Sequence, residues 1–199
     1  MAPATLWLVA GPNGVGKTTF AFRQIKRLTG ETSFVNLDEI ARGLSPLAPE
    51  SGAIRASRVA LSMIDDLIAG NGRGRHSFSL ETTLAGRTHL RTLDRAKAAG
   101  FRVHLLYFCV ADEEMALARI ARRVAEGGHD VPEKDARRRF RRSIANFPLY
   151  AARADLWQVF DANPFAPKVV AEGSGHVPDY VGDLSGLPDA LAEGLARLS

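Results

Sequence analysis

With 199 residues, 46% of them hydrophobic and 24% charged, the chain is long enough for one domain with a substantial core and too apolar to be disordered. Its formal net charge of +4 is local: residues 119–142 carry nine Lys/Arg against four Asp/Glu, which does not point to a nucleic-acid footprint over the whole surface. The lone Cys109 excludes an internal disulfide and suits a cytoplasmic setting, and no apolar run is long enough for a membrane span.

The first element sets the chemistry. Leu6–Ala10 reads as a short apolar strand, Gly11-Pro12-Asn13-Gly14-Val15-Gly16 as a loop, and Lys17-Thr18-Thr19 as the start of a helix expected to reach about Leu28 and to end at Gly30. Gly11, Gly16, Lys17 and Thr18 fill the G-x-x-x-x-G-K-[ST] pattern in a strand–loop–helix setting. Glycines let backbone N–H groups turn inward around phosphate oxygens, and the helix N-terminus adds its positive end. The pattern predicts nucleoside triphosphate binding along Gly11–Thr19, with Lys17 on the β- and γ-phosphates and the Thr18 hydroxyl on Mg²⁺.

A second strand is expected at Ser33–Leu37, delivering Asp38 and Glu39 at its carboxyl end, where open α/β sheets bind ligands. These acids either act on a hydroxyl or a metal, or cap the helix that follows. After a turn-rich Ser45–Pro49, the residues Ala56, Val59, Ala60, Met63, Ile64, Leu67 and Ile68 make an apolar helical stripe expected to be core, stopped by Gly70-Asn71-Gly72. Arg73 and Arg75 beside these glycines read as solvated charges. A third strand, His76–Leu80, leads to Glu81-Thr82-Thr83 and then to a helix from Arg87 to Gly100. Glu81 is a candidate for organising Mg²⁺ or the acceptor, with capping as the alternative. Asp38, Glu81, Thr82 and Arg87 are expected to bound an acceptor cleft.

Phe101–Val110 is the longest apolar run and predicts a buried parallel strand, with His104 a hydrogen-bonded core or edge histidine. Asp112 caps a helix with Ala116, Ile120 and Val124 on one side and Arg119, Arg122 and Arg123 on the other. Gly127-Gly128 leads to a second helix opening with Pro132 at its first position, with Ala136, Phe140, Ile144 and Phe147 inward. Two Arg-rich helices joined by a glycine hinge predict a lid over residues 119–142, whose arginines neutralise a transferring phosphoryl group. Leu156–Phe160 is a further strand, and its following turn, Asp161–Pro164, is a candidate for contact with the base. Lys168–Ala171 is expected to pair as a hairpin, with Glu172–Gly175 leading away. A last helix with Leu187, Leu191, Leu195 and Leu198 on one side is expected to pack on the sheet.

The segments GPNGVGKTTF (Gly11–Phe20), VNLDEIARGLSP (Val35–Pro46), SLETTLAGRT (Ser79–Thr88), ARRVAEGGHDVP (Ala121–Pro132) and RRRFRRSIANF (Arg137–Phe147) together resemble the zeta toxin family of phosphate-loop kinases in its short form. The resemblance implies an α/β fold, a parallel sheet flanked by helices as in nucleotide kinases, in one domain over residues 1–199. It implies use of ATP and Mg²⁺ to phosphorylate a hydroxyl of a small sugar-containing acceptor such as UDP-N-acetylglucosamine, and a possible antitoxin partner. Carried over, Asp38 matches the general base, Lys17 the phosphate-loop lysine, Glu81 the acid of the acceptor site and Arg123 the first lid arginine. The second falls among Arg137, Arg138, Arg139 and Arg142, with Arg138 favoured.

Rival readings meet obstacles in the residues. A guanine-dependent switch needs an N-K-x-D run, and a transporter or repair ATPase needs an L-S-G-G-Q-type signature; the chain has neither. A polynucleotide 5′-hydroxyl kinase would draw support only from the basic charge, which is local.

Overall fold

The computed structural model describes residues 3–25, 27, 33–70, 74–128 and 130–198. Five strands run parallel: β1 (Thr5–Ala10), β2 (Phe34–Val35), β3 (Phe78–Thr82), β4 (Arg102–Cys109) and β5 (Leu156–Asp161). Two more, β6 (Lys168–Ser174) and β7 (Val177–Val181), join antiparallel and complete a seven-stranded sheet of order β2-β3-β1-β4-β5-β6-β7. The two strands flanking the phosphate-loop strand are therefore β3 and β4, which places Glu81 and Phe108 beside the loop. Leu6, Leu8, Val9 and Ala10 of β1 and Val103 and Leu105–Cys109 of β4 are buried, because helices cover the centre of the sheet on both faces.

The helices are α1 (Lys17–Phe20, continued by a wider π-turn over Ala21–Ile25), α2 (Leu37–Leu44), α3 (Ala53–Ala69), α4 (Thr88–Ala98), α5 (Glu113–Ala125), α6 (Glu133–Ala151) and α7 (Asp189–Ala196). Phe20 of α1 packs on Phe108 and Phe160, whose rings stack at 4.6 Å, and this pins the phosphate-loop helix to β4 and β5. On the other face Phe147 of α6 meets Tyr107 and Trp157, and the Tyr107 hydroxyl lies 3.2 Å from that of Ser143. These contacts fix the rotation of α6 about its axis, which decides which of its arginines face inward.

Several expectations change. The hairpin expected at Lys168 is present and adds an antiparallel edge to the parallel sheet, but it is longer than expected: Glu172–Ser174 continue β6 rather than leading away, and Gly175, at φ 54, turns the chain into β7. Strand β2 is shorter than expected, because the Asn36 side chain accepts hydrogen bonds from the Asp38 and Glu39 amides and starts α2 there. Asp38 and Glu39 thus sit in the first turn of a helix rather than on a strand end, and neither is its cap. Strand β3 runs two residues further and contains Glu81 and Thr82.

In α3 only Ala56, Ala60, Ile64 and Ile68 are buried; Val59 and Met63 are exposed, as is Val124 of α5. Pro132 is the cap of α6 and not its first helical residue. Leu187, Leu191, Leu195 and Leu198 are buried as expected, but α7 lies against α6, with Gly194 facing Pro148. His104 packs edge-on against Trp7, and its Nε2 has no hydrogen-bond partner among the described residues. Leu28, Gly30, Asn71, Gly72 and Arg73 lie outside the described residues.

Candidate functional site

The site forms where β1 and β3 end. Gly11 stands at φ 138, and its N–H donates to the Thr82 carbonyl at 3.3 Å, tying the loop to the end of β3. A Cβ on Gly11 would strike the Phe108 carbonyl of β4, and one on Gly14, at φ 83, would strike the Ala116 carbonyl of α5. The loop therefore runs along the backbone of its neighbours at a distance only glycine permits. Gly16, at φ 91, faces open space and turns the chain into α1. Gly11→Ala is expected to cost about 1–3 kcal/mol in urea unfolding, because the backbone of β4 cannot yield. A loss below about 0.5 kcal/mol would contradict this close approach.

Pro12, Asn13 and Val15 are buried, Thr19 is exposed, and the Asn13 Oδ1 is a buried acceptor with no partner among the described residues. Lys17 is 6% exposed, and its Nζ donates to the Pro12 carbonyl at 2.7 Å, so its ammonium lies inside the curve of the loop. Burial pushes the Lys17 ammonium below the ordinary lysine range; the Glu81 and Asp38 carboxylates oppose this, and the Arg123 and Arg139 guanidiniums add to it. Lys17 thus sits in the field of both acids and both arginines.

The Thr18 hydroxyl is 2.9 Å from each carboxylate oxygen of Glu81, and Asn36 Nδ2 donates to Glu81 Oε2 at 2.8 Å. Burial pushes the Glu81 carboxyl up, with Asp38 adding to the shift, while Lys17 and the hydrogen bonds from Thr18 and Asn36 pull it down. Asn36 therefore has two roles: its Oδ1 starts the helix that carries Asp38, and its Nδ2 orients Glu81. The residue was not singled out in the sequence, although an Asn directly before a helix with acids in its first turn is a capping signal.

Of the residues expected to bound an acceptor cleft, Thr82 is held locally and Arg87 by α6. Thr82 Oγ1 accepts from the Leu84 amide at 3.2 Å, and Arg87 Nε donates to Asn146 Oδ1 at 3.4 Å. Along α6, Arg139, Ser143, Asn146 and Tyr150 follow one another at helical spacing, and Ser143, Asn146 and Tyr150 are buried against β4 and the segment after β3.

The other arginines of α6 point elsewhere. Arg137 bonds Glu113, Glu114 and Glu133 at 3.2, 2.6 and 2.8 Å, and Arg141 bonds Glu113 at 2.6 Å. The bonds to Glu113 and Glu114 clamp α5 to α6, and the Arg141 bond, with Arg137, holds the Glu113 carboxyl below the ordinary range. Arg138 is exposed and pairs with Asp135, while Arg142 is exposed on the outer side. Hydrogen bonds join Thr18 to Glu81 beside the loop that encloses Lys17, and the charges of Asp38, Arg123 and Arg139 act on Lys17, whereas Arg138 is exposed and turned to Asp135.

Among the described residues no group of three or more His, Cys, Asp or Glu could hold a metal by itself. The Thr18–Glu81 oxygens do fit Mg²⁺ of the kind bound largely through nucleotide phosphates, which needs only one or two protein oxygens. The unpartnered Asn13 Oδ1 and the enclosed Lys17 are polar groups suited to a ligand in the loop.

Comparison with known proteins bears on the family and the fold. Residues 6–147 match the family model described as "AAA domain". An uncharacterized protein of Haemophilus influenzae is 33% identical over 131 residues, covering 65% of this chain and 88% of that protein. Among solved structures, a chain of the PezAT chromosomal toxin–antitoxin system of Streptococcus pneumoniae is similar over 100% of this chain and 86% of its own, with TM-score 0.67 and 16% identity. A chain of the AvrRxo1-ORF1:AvrRxo1-ORF2 structure with ATP is similar over 98% of this chain and 75% of its own, with TM-score 0.68 and 18% identity. The chain shares the fold of these two chains, which is the kind of α/β architecture that the sequence resemblance implied. Among the described residues no helix is long and apolar enough to cross a membrane.

Proposed function

We propose that this chain, which belongs to the AAA domain family, is an ATP- and Mg²⁺-dependent kinase that phosphorylates a hydroxyl of a small, sugar-containing acceptor. The observation that carries the reading is the buried phosphate-loop lysine on the Pro12 carbonyl beside the hydrogen-bonded Thr18 and Glu81, with the charges of Asp38, Arg123 and Arg139 acting on that lysine. Phosphoryl transfer asks a protein mainly for positioning and for charge that matches the transferring group, and this set supplies both.

In this mechanism the loop amides and Lys17 hold the β- and γ-phosphates. Thr18 and Glu81 would hold Mg²⁺, which when bound neutralises charge on the phosphate oxygens. Asp38, exposed in the first turn of α2, takes the proton of the acceptor hydroxyl. Arg123 and Arg139, from the two lid helices, face the transferring group. Glu81 is assigned to the metal side of the site because its carboxylate touches Thr18. Thr82 and Arg87 are assigned to the acceptor. The turn at Asp161–Pro164, joined to α5 by the Arg119 bond to the Asn163 carbonyl at 3.0 Å, is a candidate wall for the base. UDP-N-acetylglucosamine is the first acceptor to test, on the strength of the family resemblance. An antitoxin protein is the proposed partner, since PezAT is a toxin–antitoxin system. The buried Cys109 is in keeping with a cytoplasmic site of action.

The lid arginines give a direct contrast. Arg123→Ala and Arg139→Ala are expected to lower turnover by about 10³-fold or more with a smaller change in the KM for ATP, since their charge is needed chiefly in the transition state. Arg138→Ala should stay within about twofold, because an exposed i, i+3 pair contributes little. The reverse ranking would move the second lid role to Arg138. The reading as a whole is tested by ATP consumption with and without hydroxyl acceptors. Stimulation by a sugar-containing acceptor supports a kinase, and steady hydrolysis indifferent to every acceptor points to a nucleotide switch.

A further inference from the structure

The segment between β3 and α4 is held in an unusual shape by one helix. Leu84 has φ 54, the only positive value among the described non-glycine residues, and its side chain is fully buried. A leucine adopts this left-handed backbone only where its surroundings impose it. Here Asn146 of α6, 6% exposed, donates from Nδ2 to the Leu84 carbonyl at 2.8 Å and accepts from Arg87 Nε at 3.4 Å on its Oδ1. The Tyr150 hydroxyl, one turn further, donates to the Gly86 carbonyl at 2.9 Å. At the near end Thr82 and Thr83 hydroxyls accept from the Leu84 and Ala85 amides at 3.2 and 3.4 Å.

The two partners fix the orientation of the Asn146 amide. A flipped amide would set its N–H group against a guanidinium N–H and its oxygen against a carbonyl, losing both bonds. With Nε engaged, the guanidinium plane of Arg87 is held at one edge while its two Nη groups stay available. Arg139 lies on the same line of α6, about two turns before Asn146, so the acceptor segment and a lid arginine are mounted on one rigid element.

We infer that Asn146 is a positioning residue of the acceptor site, holding the Leu84–Arg87 segment in the shape that presents Arg87 to the acceptor. The inference rests on the kinase reading for its consequence in turnover, but the anchoring itself can be measured without any substrate. Two variants separate the contributions. Asn146→Leu removes both bonds; Asn146→Asp keeps an acceptor for Arg87 but sets a carboxylate against the Leu84 carbonyl.

Hydrogen exchange of the free protein is the first measurement. The Leu84 and Ala85 amides are expected to exchange about tenfold faster or more in Asn146→Asp, and in Asn146→Leu the acceleration should extend to Arg87. The second measurement uses UDP-N-acetylglucosamine as acceptor. Its KM is expected to rise about tenfold in Asn146→Leu, the equivalent of one lost hydrogen bond, while MgATP affinity stays within about twofold. Asn146→Asp should show a smaller rise, because Arg87 remains held. Equal losses of acceptor and MgATP affinity would show a general structural role and overturn the inference. Unchanged exchange over Leu84–Arg87 in folded Asn146→Asp would overturn it as well. If the wild-type chain does not phosphorylate UDP-N-acetylglucosamine, that acceptor assignment fails by itself, and the exchange result alone decides whether Asn146 is the anchor.

Discussion

Lys17→Ala should lower phosphoryl transfer by at least about 10³-fold, the scale of losing a preorganised charge from the reacting centre. The side chain is 6% exposed, yet it is enclosed by the phosphate loop, with its Nζ on the Pro12 carbonyl, and takes no part in the apolar core. Removing it deletes a buried cation whose desolvation opposes folding, so thermal stability should change by only a few degrees. MgATP affinity should fall by about 10²-fold, the loss of one charge-assisted contact or two with phosphate. Calorimetric titration of the folded variant is the check, and an unchanged MgATP affinity would contradict the assignment of Gly11–Thr19 as the phosphate site.

Asp38→Asn should slow transfer by about 10²–10⁴-fold while leaving ATP affinity nearly unchanged, since the amide keeps the shape but cannot take a proton. The geometry sharpens this test. Asn36 is the residue that caps α2, so Asp38 is not needed to start the helix. Losing its charge in the first turn should cost only about 0.3–1 kcal/mol of helix stability. A large fall in rate with a small fall in stability is therefore the expected pattern. Near-normal turnover would return Asp38 to a role in helix electrostatics.

The parts of the site built from backbone geometry were legible in the sequence. Gly11, Gly14 and Gly16 spell a loop that must take positive φ and touch its neighbours, and the flanking strand and helix read from Leu6–Ala10 and Lys17–Phe20. The parts set by the rotation of α6 were not. Ala136, Phe140, Ile144 and Phe147 are an apolar stripe that leaves Arg137, Arg139 and Arg141 as equal flanks. Burial of the polar Ser143 and Asn146 widens the inward face toward Arg139, while Glu113 draws Arg137 and Arg141 to the other side. Neither bond can be read from periodicity, because their shared partner, Glu113, lies on α5.

The same reason hid the second role of Asn36, whose capping function is local but whose bond to Glu81 spans 45 residues. Strand β7 was missed because Val177-Pro178-Asp179-Tyr180-Val181 is short and largely exposed at the sheet edge. Its pairing depends on the turn at Gly175.

Asn36 and Glu81 also explain why Thr18 is a better candidate for metal contact than its place in the motif alone would suggest. The Glu81 carboxylate accepts from both Thr18 and Asn36, which sets its plane toward the phosphate loop. A ligand oxygen held by two donors on rigid elements loses little freedom when a cation arrives.

The central claim, a kinase and not a nucleotide switch, is tested most directly by following the γ-phosphate of labelled ATP. The protein is incubated with Mg²⁺ and a panel of sugars, nucleotide sugars and short RNAs, and the labelled products are separated. The account predicts label on a hydroxyl of a sugar-containing small molecule, with the transfer lost in Asp38→Asn. Label appearing only as free phosphate, or only on RNA, would contradict it.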